Sequence, residues 1–306
     1  MTLDVEMPRM DGVEFLRRLM PQYPIATVMV SSLTERGKQI TLDALEAGAV
    51  DIVTKPAADV ARSLESMLGD LREKVKAAAQ IDVSHWKRMA LLKKAQPPRP
   101  HAAALSESTD KVIAIGASTG GTEAIRQVVL NLPSNTPGVV IVQHMPPGFT
   151  AMFAERLNID SEMTVQEARD GDRVMTGRVL VAPGDYHMRV ARSGGRYVVK
   201  LDHEEKVSGH RPSVEVLFQS VAKYVASNAI GVILTGMGRD GNKGMLAMRQ
   251  RGARTIGQDE ATCVVYGMPR EAYELGGIEK QLPIHSIAGG VLAALGSKKT
   301  NTPEQR

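Results

Sequence analysis

The stretch KVIAIGASTGG, residues 111–121, constrains the fold more than any other part of the sequence. Its apolar run Val112–Ile115 predicts a strand that is buried on both faces of a parallel sheet. A turn of small residues follows the strand, and a helical pattern begins directly afterwards. Such a strand–turn–helix unit presents one side chain at the carboxyl edge of an open α/β sheet, where ligands bind. The sequence predicts that this side chain is Ser118.

The turn is compatible with two kinds of chemistry. The first turn of a helix has unpaired N–H groups and a partial positive charge, so it suits either a bound anion or a developing oxyanion. Ser118 therefore fits a nucleophile and a phosphate-binding turn equally well. This stretch alone leaves the choice open.

Composition narrows the class of protein. With 306 residues the chain has room for about two domains, and its 43% hydrophobic share is ample for packed cores. A formal charge of +4 is too small to indicate nucleic-acid binding by itself. The single cysteine, Cys263, excludes an intrachain disulfide framework. No apolar run approaches the roughly 20 residues that span a bilayer, and no signal-peptide pattern is present, so we expect a soluble cytoplasmic protein.

Residues 1–79 alternate between strand and helix patterns, which predicts a parallel sheet with helices on its faces. Asp4, Ser31 and Lys55 each lie at the end of a predicted strand, so their side chains are expected at one edge. This trio suits a phosphorylated aspartate, because the hydroxyl and the ammonium can both contact phosphoryl oxygens. Ordinary polar residues at strand ends are the alternative interpretation. The predicted helices are 12–19, 38–47 and 60–79, and the later predicted strands are 26–30 and 51–54.

The motifs LDVEMPRMDG, VSSLTERG and TKP in this segment resemble the receiver domain of two-component response regulators, a flavodoxin-like, doubly wound fold. The resemblance implies that Asp4 is the phosphoacceptor, Ser31 the switch hydroxyl and Lys55 the phosphoryl-binding lysine. It also implies a truncated receiver, because the opening strand with the acidic pair that holds Mg²⁺ in the family is absent. One hypothesis that follows is that this partial receiver is unfolded and leaves the rest of the chain unregulated.

A domain boundary is predicted at residues 80–110. Pro97, Pro98 and Pro100 exclude a continuous helix there and favour extended backbone. The stretch 102–108 is small and polar, without apolar periodicity. We therefore expect a linker between two domains. The last residues, 297–306, are expected to form a flexible tail.

Residues 111–296 again alternate between strands and helices, which predicts a mostly parallel, Rossmann-like α/β sheet covered by helices. Turn residues around Pro183 interrupt the pattern, so an antiparallel hairpin is expected at an edge of the sheet, within 171–192. The predicted strands are 112–115, 139–143, 179–181, 197–201, 230–234 and 255–257, and the predicted helices are 122–130, 150–157, 213–224, 244–250 and 269–275.

Three of these strands are followed by polar residues of complementary chemistry. Ser118, His144 and Asp240 follow separate strands, and parallel strands end at one edge, so the three side chains can meet. A serine hydroxyl needs a neighbouring imidazole to accept its proton, and the imidazole needs a carboxylate to fix its tautomer. Glycines around Ser118 and Met237 leave backbone N–H groups free for an oxyanion.

The residues alone leave alternatives open. Gly116, Ser118 and Gly120 satisfy the hydrolase elbow G-x-S-x-G, but a Gly-rich turn also binds phosphate. On spacing and chemistry, a serine hydrolase and a nucleotide-binding module are about equally supported. The further imidazoles that spacing does not exclude are His187, His203 and His210.

A longer set of motifs resembles the chemotaxis-type protein-glutamate methylesterases, which join a receiver, a linker and an esterase domain. The motifs are IGASTGG, VQHMPPGFTAMFAERL, VAPGDYHM, HRPSVEVLF, LTGMGRDGNKG and QDEATCVVYGMPREA. The resemblance implies that Ser118 is the nucleophile, His144 the general base and acid, and Asp240 the partner of the imidazole. It also implies that backbone around Met237, with Thr119 nearby, supports the oxyanion or the Ser–His geometry.

The implied substrate is the γ-methyl ester of glutamate on methyl-accepting chemotaxis receptors. Methanol is the implied product, and deamidation of receptor glutamines is the related activity. No metal or other cofactor is implied for this chemistry, and neither nucleic-acid binding nor membrane insertion is expected. In the family an unphosphorylated receiver covers the active site, and a chemotaxis histidine kinase is the phosphodonor. The alternatives are a dinucleotide-binding oxidoreductase, although a full G-x-G-x-x-G run is lacking, and a non-catalytic regulator.

Overall fold

The structure is a computed structural model that describes residues 1–32, 34–55, 60–81 and 110–296. Most of the predicted linker 80–110 and all of the predicted tail 297–306 lie outside the described residues, so both remain predictions. Of the helices in the described ranges, none is long and apolar enough to cross a membrane.

Residues 1–81 form a three-stranded parallel sheet with helices between the strands. Leu3, Met29 and Ile52 stand opposite one another across the three strands, and all three are buried. The hypothesis that this segment is unfolded is therefore wrong. In order, the elements are β1 (Thr2–Asp4), α1 (Gly12–Leu19), β2 (Val28–Ser31), α2 (Glu35–Glu46), β3 (Asp51–Thr54) and α3 (Val60–Ala79).

Residues 110–296 form a larger α/β unit. Its elements are β4 (Val112–Ala117), α4 (Gly121–Val129), β5 (Gly138–Gln143), α5 (Phe149–Asp160), β6 (Thr164–Glu167), β7 (Arg178–Val181), β8 (His187–Ser193), β9 (Arg196–Asp202), α6 (Val214–Tyr224), β10 (Ala229–Ile233), α7 (Asn242–Gln250), β11 (Arg254–Gln258), α8 (Met268–Glu274), β12 (Lys280–Leu282) and α9 (Ile284–Gly296). Seven strands make a parallel sheet in the order β12-β11-β10-β4-β5-β7-β6. Strand β4 therefore lies between β10 and β5.

Strand β4 is buried on both faces. Ile113 and Ile115 belong to one apolar cluster together with residues of α4, α5 and α9. Val112 and Ala114 belong to a second cluster, which includes residues of α6, α7 and α8. This division follows the two-residue period of a strand. It explains why a continuous apolar run, not an alternating pattern, marks the strand in the sequence.

The predicted antiparallel hairpin is present, but its residues and its place in the fold differ from the prediction. Strands β8 and β9 pair from His187↔Asp202 to Ser193↔Arg196 and form a separate two-stranded sheet. The hairpin packs on α6, where Ser220 Oγ accepts a hydrogen bond from the Val190 N–H at 2.8 Å. The edges of the seven-stranded sheet are instead β6 and β12, two short strands that the sequence patterns did not predict.

The two parts of the chain pack against each other. Leu42 on α2 and Leu157 on α5 belong to the same cluster of buried apolar residues. Beside this cluster, Arg156 on α5 forms ion pairs with Asp43 and, at 2.8 Å, with Glu46. The N-terminal sheet is therefore docked on the larger unit through both apolar and charged contacts.

Candidate active site

Ser118 lies in the turn between β4 and α4, at the carboxyl edge of the seven-stranded sheet. Its N–H donates to the Thr235 carbonyl at 3.0 Å. Its carbonyl accepts from the Gly121 N–H at 2.7 Å and from Gln143 Nε2 at 2.9 Å. Gly120, which precedes the helix, has a φ of +75°, a conformation that favours glycine. The backbone around Ser118 is thus fixed, while its side chain stays partly exposed.

The glycines of this turn make room for side chains of the same chain. A Cβ on Gly120 would lie 2.6 Å from the Cβ of Val264, and a Cβ on Gly121 would lie 2.1 Å from Gln143 Oε1. A dinucleotide-binding turn uses its glycines differently, because the pyrophosphate must approach the open backbone. Because Val264 and Gln143 already pack against Gly120 and Gly121, these glycines are not open to a pyrophosphate, which argues against the oxidoreductase alternative.

His144 follows β5, the neighbour of β4, and bonds on both sides of its ring. Its Nδ1 lies 3.1 Å from Ser118 Oγ, and its Nε2 lies 2.8 Å from Asp240 Oδ2. The side chain is only 7% exposed. Because an ionised carboxylate only accepts, Nε2 of the neutral ring carries the proton. Nδ1 is then the acceptor that a serine hydroxyl needs.

Asp240 follows β10, on the other side of β4, and its carboxylate is buried. Ser213 Oγ donates to Oδ1 at 2.8 Å, and the Val214 N–H donates to Oδ2 at 2.7 Å. Val214 begins α6, so the carboxylate lies at the positive end of a helix dipole. Burial opposes ionisation, but the interactions with His144, Ser213 and Val214 outweigh it and lower the pKa of Asp240. Asp240 is therefore negative at neutral pH.

Two backbone N–H groups near Ser118 are available to an oxyanion. Within the described ranges, neither the Thr119 N–H nor the Met237 N–H donates to an acceptor. The two groups belong to different loops, which meet because Gly236 packs against the serine: a Cβ there would lie 2.8 Å from Ser118 Cβ. Fixed donors at such a position stabilise negative charge that develops during a reaction.

The structure distinguishes the four histidines that the sequence left as candidates. Of these, only His144 bonds Ser118. His187 is fully buried and bonds a backbone carbonyl, whereas His203 is exposed and bonds a carboxylate. His210 stacks on the ring of His144.

The N-terminal sheet contacts the nucleophile turn directly. Thr119 Oγ1 donates to Asp51 Oδ2 at 2.5 Å, and the Gly120 N–H donates to the Val50 carbonyl at 3.2 Å. Lys74 Nζ lies 3.1 Å from Asp51 Oδ1, and this ion pair is mostly buried. Burial acts to lower the pKa of Lys74, but its two aspartate partners raise it overall, so the ammonium stays charged. The Asp51 carboxylate that contacts the Ser118 turn therefore belongs to a buried ion pair with Lys74.

Two of the three candidate receiver residues form an ion pair. Lys55 Nζ lies 2.5 Å from Asp4 Oδ2. Ser31 is adjacent to Lys55, whose N–H donates to the Ser31 carbonyl at 2.7 Å, but the buried Ser31 hydroxyl donates to the Gly37 carbonyl and accepts from Thr41 Oγ1. These three residues do not fit Mg²⁺ by themselves, because Asp4 is their single carboxylate and the ion needs near-octahedral oxygen ligation. In the described part of the chain, moreover, no group of three or more His, Cys, Asp or Glu side chains is arranged to hold a metal.

Fold and site together define a class of protein. Serine, histidine and aspartate follow the three neighbouring strands β4, β5 and β10 of a parallel sheet and bond in that order, which is the arrangement of a serine hydrolase. Residues 113–291 match the CheB methylesterase family, and residues 1–66 match the response regulator receiver domain. The chain belongs to the CheB methylesterase family and is a hydrolase.

Several relatives that share the name protein-glutamate methylesterase/protein-glutamine glutaminase match nearly the whole chain. The protein-glutamate methylesterase/protein-glutamine glutaminase of Syntrophotalea carbinolica is 59% identical over 98% of this chain and 85% of its own length. The protein of that name from Salmonella typhimurium is 52% identical over 96% of this chain and 83% of its own length. The crystal structure of the Thermotoga maritima CheB methylesterase catalytic domain is 42% identical, covers 60% of this chain and 97% of that domain, and has a TM-score of 0.59. The predicted family and α/β fold are confirmed.

The sequence patterns missed several residues that build the site. Gln143 and Thr235 hold the backbone of Ser118, and Ser213 bonds the buried carboxylate. Ser213 had a usable signal, because a serine directly before an apolar helical pattern marks an N-cap. Asp51 had no such signal, because nothing in its local sequence indicates that it contacts the distant Ser118 turn.

Proposed function

We propose that this chain hydrolyses glutamate γ-methyl esters on chemotaxis receptors through Ser118, His144 and Asp240. One observation carries the proposal: His144 bonds Ser118 Oγ through Nδ1 at 3.1 Å and Asp240 through Nε2 at 2.8 Å. The substrate class is supported by relatives named protein-glutamate methylesterase/protein-glutamine glutaminase that match nearly the whole chain.

In the first step Ser118 Oγ attacks the carbonyl carbon of the ester, while its proton moves to His144 Nδ1. The tetrahedral intermediate has a negative oxygen, which the Thr119 and Met237 N–H groups stabilise. The bond to the methoxy group then breaks, and His144 returns the proton so that methanol leaves. Asp240 stays ionised throughout and stabilises the imidazolium.

In the second step water attacks the glutamyl ester on Ser118, and His144 takes the proton of the water. The intermediate collapses, the serine oxygen leaves with the proton from His144, and the γ-carboxylate of the receptor glutamate is freed from the enzyme. Each turnover therefore consumes one water and forms one methanol. A receptor glutamine reacts by the same steps, with ammonia as the leaving group.

We also propose the setting of this reaction. This chain acts in the cytoplasm, and its substrates are methyl-accepting chemotaxis receptors. Its role is adaptation in chemotaxis, and a chemotaxis histidine kinase is the phosphodonor for Asp4. The match to the receiver domain supports the kinase partner. The ion pair of Asp4 with Lys55 supports the position of the phosphoacceptor, because the lysine can then contact phosphoryl oxygens.

Methanol release from purified receptor with methylated glutamates tests the enzymatic role. We expect the intact chain to release methanol and to leave unmodified glutamate at the same receptor positions. Stable receptor binding without methanol release, by the wild-type chain and by the Asp51→Ala chain described below, would contradict the proposal and favour a non-catalytic regulator.

We further propose that the N-terminal sheet restrains this active site through Asp51. Its carboxylate accepts the Thr119 hydroxyl, and Val50 accepts the Gly120 N–H, so the turn that carries the nucleophile is tied to β3. The ion pairs of Arg156 with Asp43 and Glu46, on a neighbouring part of the contact, support the same docked arrangement.

Removing the Asp51 carboxylate should raise methanol release by the intact chain on the order of tenfold, because docking loses a charged hydrogen bond worth roughly 1.5–3 kcal/mol. The Asp51→Ala substitution removes the bond to Thr119 and leaves Lys74 without its most buried partner. Methanol release at saturating receptor is the measurement.

The matched control is Asp70→Asn. Asp70 also pairs with Lys74, at 3.4 Å, but its side chain is 49% exposed. Exposed ion pairs contribute little, so we expect less than about a twofold change. Unchanged or reduced activity of a folded Asp51→Ala chain would contradict the restraint.

A further inference from the structure

His210 lies against the face of His144. The two ring centroids are 3.8 Å apart, and the planes differ by 16°. The His210 backbone exchanges two hydrogen bonds with Val207, at 3.0 and 3.2 Å. Arg211, the next residue, donates to Asp185 Oδ1 at 2.8 Å and to the Glu204 carbonyl at 2.8 Å. The ring of His210 is therefore presented by an anchored loop.

We propose that His210 is a positioning residue for the reaction: its ring fixes the plane of the His144 ring between Ser118 and Asp240. This inference goes beyond the Ser–His–Asp reaction proposed above and rests on it.

Hydrogen bonds alone leave His144 incompletely fixed. Both bonds are made by ring nitrogens, one by Nδ1 and one by Nε2, and the N–H and the lone pair of an imidazole point along the plane of the ring. These two bonds fix the line from Nδ1 to Nε2. The ring can still tilt about that line, because such a tilt changes the distances to Ser118 Oγ and Asp240 Oδ2 little. A parallel ring in contact with the face resists that tilt, because tilting would cause a clash on one side and lose contact on the other.

The charge state of His210 suits this role. Burial, with the positive charge that His144 acquires, lowers the pKa of His210 to about 3, so the ring is neutral under working conditions. The charged groups around it are His144, Asp240, Lys206 in its own loop and Lys74 on α3. A neutral aromatic face beside an imidazolium is favourable, whereas a second cation there would oppose the proton transfer.

The ring nitrogens of His210 are not needed for the contact. Among the described residues, neither nitrogen has a hydrogen-bond partner, so the interaction with His144 is made by the ring face alone. A phenylalanine at this position can therefore preserve the stacking while removing both nitrogens. This difference separates positioning by the ring from direct hydrogen bonding to substrate.

The test compares His210→Ala, His210→Gln and His210→Phe in the full chain. For the Ala and Gln variants we expect kcat for methanol release to fall about 10–100-fold, the cost of a misplaced catalytic group, with KM changed less than about twofold. We expect His210→Phe to restore kcat to within about threefold of wild type. The control His203→Ala alters an exposed histidine of the same loop and should leave kcat unchanged. Far-ultraviolet circular dichroism and thermal melting confirm folding.

Three outcomes would overturn the inference. One is full activity of a folded His210→Ala or His210→Gln chain, and another is a folded His210→Phe chain as impaired as His210→Gln. The third is a change in KM alone. Reaction with a fluorophosphonate, measured in parallel, keeps this test separate from the proposed function. If the wild-type chain is not labelled at Ser118, the reaction itself is wrong. If it is labelled but the His210 variants react at the wild-type rate, only the positioning role fails.

Discussion

The Ser118→Ala chain is expected to release methanol from methylated receptor about 10⁴–10⁶-fold more slowly than the wild type. Without the hydroxyl, no acyl-enzyme forms, and only the oxyanion donors and substrate binding remain to assist water. The fold should be intact, because Ser118 Oγ bonds only His144 among the described residues. The measurement is kcat/KM for methanol release, with circular dichroism and thermal melting to confirm folding. Near-wild-type release by a folded Ser118→Ala chain would contradict the assignment of the nucleophile.

Histidine variants provide the matched control for this experiment. His144→Ala removes the base and should be nearly as inactive as Ser118→Ala, because the two residues act as one unit. His187→Asn alters a histidine whose ring, among the residues that the structure describes, bonds only the Glu205 carbonyl, so it should keep far more activity than His144→Ala. Equal losses in both histidine variants, with both chains folded, would show that His144 has no special role.

The second large effect is expected for Asp240→Asn, which should lower kcat by roughly 10³–10⁴-fold. Asp240 Oδ2 accepts from His144 Nε2 and from the Val214 N–H. An asparagine is uncharged, so it stabilises the imidazolium less, and with its amide nitrogen towards the ring it donates to Nε2 and forces the proton onto Nδ1. In that orientation the tautomer is wrong for catalysis. His144 then cannot accept the proton of Ser118, although all the residues remain in place.

The control for this variant is Ser213→Ala. It removes one hydrogen bond to Asp240 Oδ1 but keeps the carboxylate and its contact with His144. We expect a loss of about tenfold, since a hydrogen bond to a charged group contributes roughly 1.5–3 kcal/mol and only part of this acts on the reaction. Activity of Asp240→Asn above that of Ser213→Ala, at pH 7 and with both chains folded, would contradict the role of the carboxylate.

Much of the catalytic half could be predicted from sequence because its signals are local. The apolar strand Val112–Ala117 and the small-residue turn that follows it are adjacent in the chain, so Ser118 could be placed at a sheet edge. His144 and Asp240 follow apolar strands in the same way. Placing Ser118, His144 and Asp240 together also required the order of the strands in the sheet. Strands β5 and β10 lie on either side of β4, but long crossover connections separate the three strands along the chain.

What the sequence could not show depends on contacts between distant segments. The hairpin β8–β9 leaves the main sheet to cover α6, and the pattern of turn residues does not encode that choice. His210 was one of several unassigned imidazoles, because stacking on His144 depends on a loop anchored by Arg211. The short edge strands β6 and β12 carry too few apolar residues for a periodic signal.

The N-terminal segment illustrates the same limit. Its strands and helices could be predicted from their alternation, but the hypothesis that it is unfolded was wrong. Leu42 shares a buried cluster with residues of α5, and Asp51 bonds Thr119, so the larger unit completes the packing of the segment. The local sequence around Leu42 and Asp51 does not indicate either contact. The roles of Asp4, Ser31 and Lys55 stay predictions.

The central claim is that Ser118 is an activated nucleophile, and covalent labelling tests it most directly. The intact chain is treated with a fluorophosphonate, digested and analysed by mass spectrometry while methanol release is followed in parallel. We expect one phosphonyl group per chain on the peptide that contains Ser118, with activity lost in proportion to labelling and no label in the Ser118→Ala chain. Activity that survives complete labelling, or inactivation by a label on another residue, would contradict the claim.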